Sequence, residues 1–216
     1  MTPFEFFEKG GVVMYPLLLI SLASIAVTVE RAIAYKSLGD TAPDLVSEAV
    51  KMIRSGRHAE ALRLAESRKG PVADTVATII KSKNDPSSLV EGRIEETVGE
   101  YSLRLEKFLP VLDTSATLSP LLGLLGTIIG MVGVFQRFQA AGGDEGAKQQ
   151  VLAAVGEALY ATASGIFIAC ICFASYNYFS ARQRSIVGET EQAATRVFNA
   201  MAESAHSGAA PAGAVR

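Results

Sequence analysis

Charge is missing from three long stretches of this chain. Gly10 to Val29 carries none over 20 positions and ends at Glu30-Arg31, Thr114 to Gln136 carries none over 23, and Gln149 to Ala181 carries one, Glu157, in 33. A helix needs about 20 apolar residues to cross a bilayer, so the pattern predicts three transmembrane helices. The second and third are joined by Arg137 to Lys148, whose Gly142-Gly143-Asp144-Glu145-Gly146 is too polar and glycine-rich to continue either helix. They form a hairpin. Pro16 falls in the first turns of the first span, where a helix tolerates proline, and Tyr15 and Tyr35 suit its two interfaces. The residues before it are acidic (Glu5, Glu8), and no small-residue cleavage site follows a short apolar core, so a cleaved signal peptide is not expected.

Between the first and second spans the periodicity is that of small soluble helices. Asp44 to Ser55 stops at Gly56, Arg57 to Lys69 stops at Gly70, and Pro71 opens the next helix at the position proline prefers. Asp85-Pro86-Ser87-Ser88 is a break. After it Leu89, Ile94, Val98, Tyr101, Leu105, Leu109 and Leu112 recur at helical spacing, which predicts one helix running into the second span, with Pro110 as a possible kink. Beyond the third span Arg182 to Ser204 stays helix-compatible, and His206 to Arg216 is rich in Gly, Ala and Pro and expected to be disordered.

The fold class is therefore an all-α membrane protein: three transmembrane helices with long cytoplasmic helical extensions. The segments are 1–9, a periplasmic N-terminus; 10–35, the first span; 36–110, a cytoplasmic helical domain; 111–137, the second span; 138–149, a periplasmic turn; 150–181, the third span; 182–205, a cytoplasmic helix; and 206–216, the tail. Orientation rests on basic residues. Lys36 to Pro110 holds 12 Lys and Arg and the C-terminal tail four, against one before the first span and two in the hairpin turn. Basic loops stay cytoplasmic. The long loop has as many acids as bases, but N-terminus out, loop in, turn out and tail in agrees with every segment.

The polar residues inside the hairpin are few. With the turn centred near Gly143, antiparallel register sets Thr127 opposite Leu159 or Tyr160, at a depth between Glu157 and Thr162, and a rise of about 1.5 Å per residue puts the three within about one turn. The same register sets Asp113 and Ser115 near Ser175 and Asn177, at the other end of the helices. On an ideal helix Thr162 is rotated about 140° from Glu157, so the two either face different subunits or the helix is locally distorted. A carboxylate in the bilayer costs about 2.5 to 3.5 kcal/mol on insertion scales, so Glu157 must face protein or water. It either hydrogen-bonds a neighbouring helix or takes up and releases protons. Ser119, Gly123, Gly126, Gly130 and Gly133 recur at spacings of 4, 3, 4 and 3, a seam of small residues that admits another helix closely.

The run Leu122-Gly123-Leu124-Leu125-Gly126-Thr127-Ile128-Ile129-Gly130-Met131, with Gly156-Glu157-Ala158-Leu159-Tyr160-Ala161-Thr162-Ala163-Ser164-Gly165 and Tyr176-Asn177, resembles the MotA/TolQ/ExbB proton channel family, most closely its ExbB and TolQ branch. The resemblance implies that Glu157 is the membrane glutamate of the third helix, Thr127 and Thr162 the channel threonines, and Asn177 an asparagine near the cytoplasmic end. It further implies a bacterial inner-membrane location and a homo-oligomer, a pentamer, around the single-span helices of an ExbD- or TolR-like partner, serving a TonB- or TolA-like protein.

Composition excludes other classes. The chain is 49% hydrophobic with a formal charge of −2, which gives no electrostatic case for nucleic acid. Cys170 and Cys172 point to opposite faces of a membrane helix, so they are not expected to pair. Phosphate loops, metal-ligand spacings and nucleophile–base pairs are missing from the sequence, so no cofactor, metal or enzyme activity is expected. His58 stands without a second ligand and reads as a helix-start residue. Three functions follow: a proton-channel subunit that turns proton-motive force into motion of a partner, a scaffold whose polar membrane residues only hold helices together, or an intramembrane enzyme, which the missing catalytic pairs disfavour.

Overall fold

The computed structural model describes residues 10–38, 43–140 and 145–208, without the side chains of 43, 137, 138, 140, 145–154, 157 and 205–208. Residues 1–9, the tip of the hairpin turn at 141–144, and the tail beyond 208 lie outside the described residues. Among the described residues there are seven helices and no strand: α1 (Met14–Ser37), α2 (Pro43–Arg54), α3 (His58–Glu66), α4 (Pro71–Lys81), α5 (Ser87–Glu106), α6 (Leu109–Ala140) and α7 (Glu145–Gly208). Segments of α1, α6 and α7 are long and apolar enough to cross a membrane, and the chain is an all-α, multi-pass membrane protein.

The chain divides into two units, one of residues up to Arg31 with Phe108–Phe179, the other of Ala32–Lys107 with the chain from Ser180 onward. In the first, Val13, Met14 and Leu17 at the start of α1 are buried against Leu122 of α6 and Ile168 of α7. Most other large apolar side chains of these helices, such as Leu22, Ile25, Leu121, Ile128, Phe167 and Phe173, are exposed. A soluble protein rarely leaves so much apolar surface open; hydrocarbon tolerates it. Two hydroxyls of α1 are satisfied within the helix, Ser24 donating to the Ile20 carbonyl at 2.8 Å and Thr28 to that of Ser24 at 2.7 Å.

The second unit has its own core. Leu45, Ala49 and Ile53 of α2, Ala61 and Ala65 of α3, Val72, Val76, Ile79 and Ile80 of α4, and Val90 of α5 close against Ala193, Ala194, Val197 and Ala200 of α7. Glycine sets two of its corners. Gly56, at φ 74, ends α2 while its N–H donates to the Ile53 carbonyl and that of Arg57 to Met52, both at 2.9 Å. This is the Schellman pattern that satisfies the last carbonyls of a helix. Gly70, at φ 127, precedes Pro71 at the first position of α4, and a Cβ there would lie 2.6 Å from the Leu38 carbonyl oxygen. Gly70→Ala is therefore expected to destabilise this unit by about 2 kcal/mol, read as a lower thermal midpoint of the purified protein. Tyr101 of α5 donates a hydrogen bond to the Asp74 carboxylate of α4. Burial first, then the Asp74 bond and charge, push its pKa up to about 12, so it remains a neutral donor at physiological pH.

One expectation is corrected. The apolar spacing from Leu89 to Leu112 predicts a single helix, but α5 ends at Glu106 and α6 starts at Leu109, with Lys107 extended (φ −49, ψ 130) and Phe108 left-handed at φ 66. Pro110 is the reason. In a continuous helix it would leave the Glu106 carbonyl without its donor and clash with it; in the first turn of a new helix no N–H is needed there. A left-handed phenylalanine is costly, and Phe108 has support. The buried Arg31 guanidinium stacks 5.6 Å from its ring centre while gripping Glu30 through Nε (2.5 Å) and Nη2 (2.6 Å).

Candidate functional site in the membrane hairpin

Small residues bring α6 and α7 together. A Cβ on Gly123 would come within 3.0 Å of the Thr162 Cα and 3.1 Å of the Ala161 carbonyl oxygen, and one on Gly126 would meet the Ala161 Cβ at 2.7 Å. A Cβ on Gly165 would fall on the Ser119 carbonyl oxygen and within 3.1 Å of the Gly123 Cα. The pairing of 123 with 161 and 162, and of 119 with 165, is close to the register that a turn near Gly143 predicts. Not all of the expected seam is in contact. Gly130 is half-buried, and nothing lies within 4 Å of a Cβ built on Gly133.

The half of the seam on α7 was missed in the sequence. Ala158 and Ala161 are buried, and with Gly165 they recur at spacings of three and four, which is the same signal as on α6. It was hidden because that stretch draws attention to its polar residues. Ser119, fully buried, donates to the Ser115 carbonyl at 2.7 Å, so the narrowest part of the hairpin has no unmet hydroxyl of its own.

Thr162 links the two helices directly. Its Oγ1 lies 3.0 Å from the Gly123 carbonyl oxygen and 3.3 Å from that of Ala158 on its own helix. A hydroxyl has one proton to give, so the shorter, interhelical contact is the principal one. Thr127 donates to the Leu124 carbonyl at 2.6 Å, and among the described residues no hydrogen bond joins it to Thr162. The side chain of Glu157 lies outside the described residues; its backbone is part of α7, one turn before Ala161. At the other end Ser115 is buried and Asp113 and Asn177 are exposed, and among the hydrogen bonds of the described residues none joins Asp113 or Ser115 to Asn177. Cys172 is buried and Cys170 exposed, as opposite helix faces require.

Chemically, this hairpin offers a tight two-helix seam, threonine hydroxyls that can donate or accept, and a carboxyl-bearing position on α7 one turn from Thr162. The model of the MotA/TolQ/ExbB proton channel family matches residues 60–192, which include every residue of this site. The ExbB-like biopolymer transport protein 1 of Synechocystis sp. is 30% identical over 172 residues, 76% of this chain and 65% of that protein. The Tol-Pal system protein TolQ of Pseudomonas aeruginosa is 33% identical over 107 residues, 48% of this chain and 46% of its own length. The biopolymer transport protein ExbB of Xanthomonas campestris pv. campestris is 31% identical over 103 residues, 48% and 40% respectively. The chain thus spans between two fifths and two thirds of the length of these three relatives. A match of this extent, centred on the hairpin, places the chain in the MotA/TolQ/ExbB proton channel family, in its ExbB/TolQ branch.

Proposed function

We propose that this chain is an inner-membrane proton-channel and stator subunit that couples proton-motive force to mechanical work through an ExbD- or TolR-like single-span partner. The output is TonB-dependent import or a related envelope process, delivered to a TonB- or TolA-like protein, and the working form is a homo-oligomer, a pentamer. Glu157 takes and releases the proton. Thr127 and Thr162 hold water or relay the proton between Glu157 and the polar level at Asp113, Ser115 and Asn177. The observation that carries this reading is the family match, which covers the hairpin in which Glu157 is the single charge between Gln149 and Ala181. Each charge crossing 100 mV releases about 2.3 kcal/mol, so a few protons are enough to drive a conformational step. The test is proton flux in vesicles holding the chain with its partner. Flux no greater than in vesicles lacking the chain would defeat it.

The scaffold reading has one observation in its favour. Thr117, Ser119, Thr127, Thr162 and Ser164 all spend their hydroxyls on backbone carbonyls, which is how packing residues in a membrane behave. Conduction requires Thr127 and Thr162 to exchange these partners for water in the assembled complex.

The proposed orientation is testable by itself. With the N-terminus and hairpin turn periplasmic, a cysteine at Gly143 in a cysteine-free background should react with an impermeant thiol reagent in cells with a permeabilised outer membrane. Labelling at a cysteine replacing Ser67, but not at Gly143, would reverse the topology.

A further inference from the structure

We propose that the second unit carries, where the chain enters and leaves it, a binding surface for the anionic headgroup of a membrane phospholipid. Two contacts build it. The close approach of Gly70 to the Leu38 carbonyl sets the loop before α4 against the residues that leave α1. Tyr35, in the last turns of α1, donates its hydroxyl to the Leu105 carbonyl at 3.1 Å and so holds the end of α5 to the same place. Within two residues of these contacts stand Lys36, Arg68, Lys69 and Lys107, all exposed.

Sequence distance puts this cluster at the membrane boundary. Lys36 follows Val29, the last residue of the uncharged run, by seven positions, about 10 Å of helix. Lys107 directly precedes the break before α6. The charge is local to this end, because Lys36 to Pro110 holds 12 bases and 12 acids. Among the described residues Lys36, Arg68 and Lys69 enter no ion pair, while the neighbouring Glu66 is held by Lys81 at 2.8 Å. Glu106 and Asp74 are further described acids near the cluster, and the Asp74 carboxylate accepts the Tyr101 hydroxyl.

Basic residues beside a membrane helix attract anionic lipid, each by an amount that falls off within a Debye length. Arg68 can take a phosphate in bidentate fashion, and the two flanking lysines supply point charges. A phospholipid suits the place better than free phosphate, since its acyl chains keep the headgroup at this depth. The proposal is independent of proton conduction and of which side of the membrane the unit occupies.

The experiment uses the full chain in zwitterionic detergent, with phosphatidylglycerol, phosphatidylcholine or inorganic phosphate titrated in, and reads bound lipid by native mass spectrometry and the thermal midpoint. Phosphatidylglycerol should bind and raise the midpoint, and the other two should not. Arg68→Gln/Lys69→Gln should weaken its binding at least about tenfold, whereas Lys51→Gln/Arg54→Gln, the same charge change on α2, should leave it unaltered. Should the first double variant fail to fold, Lys36→Gln alone should give about a fivefold loss. Equal loss in both double variants, no loss in the variants of the cluster, or equal protection by inorganic phosphate would overturn the proposal.

Discussion

Glu157→Gln is expected to abolish partner-dependent proton flux while the oligomer assembles as before. Glutamine keeps the size and hydrogen-bonding capacity of the side chain and removes only its ability to exchange a proton, so packing and titration are separated. Glu157 is the one charged residue between Gln149 and Ala181. The flanking hydroxyls grade the effect. Thr127→Val and Thr162→Val should impair flux severely, and Thr→Ser at either position should be mild because the hydroxyl is retained. Thr162→Val carries an additional cost of about 1 kcal/mol in hairpin stability, since it removes the bond to the Gly123 carbonyl. Full flux in Glu157→Gln would take this chain out of the proton path and leave it a scaffold.

The second large effect is steric. Gly165→Ala places a methyl on the Ser119 carbonyl oxygen and against the Gly123 backbone. Backbone on both sides leaves no side chain to swing away, so the helices must separate along the whole seam. A loss of about 3 kcal/mol is expected, at the upper end of overpacking costs, measured by equilibrium unfolding in mixed micelles. Gly133→Ala is the matched control, because a Cβ there meets nothing within 4 Å. If the two variants unfold alike, α6 and α7 do not pack through Gly165.

Much of this was written in the chain. Uncharged runs identify spans because hydrocarbon excludes charge, and Gly56, Gly70 and Pro71 identify helix ends because backbone geometry admits few other residues there. The break at Lys107 and Phe108 was not legible. Its cause, Pro110, stands two residues further on, and the apolar spacing continues across it since Leu105, Leu109 and Leu112 are all buried on both sides of the break. Phenylalanine gives no sequence sign that it will take a positive φ. The site was legible in part. Spacing identified the register of α6 on α7 and the contact of Gly123 and Gly126 with it, but not the choice of a carbonyl on the facing helix as the partner of Thr162, which depends on how glycine bares the backbone at 123.

The core of the second unit sets an order of events during synthesis. Its first apolar faces, on α2 to α5, leave the ribosome before the second span and pack on one another, yet their common core is completed only by Ala193, Ala194, Val197 and Ala200 of α7. Roughly 100 residues separate Val90 from Ala193, and at about 5–20 residues per second they take about 5–20 s to make. For that interval the part of the core that α7 covers stays open. A ribosome that stalls in the third span, or a message cut short before Ala193, therefore yields a chain with all of its membrane helices begun and the core of its second unit still open on the side that the last helix would have covered.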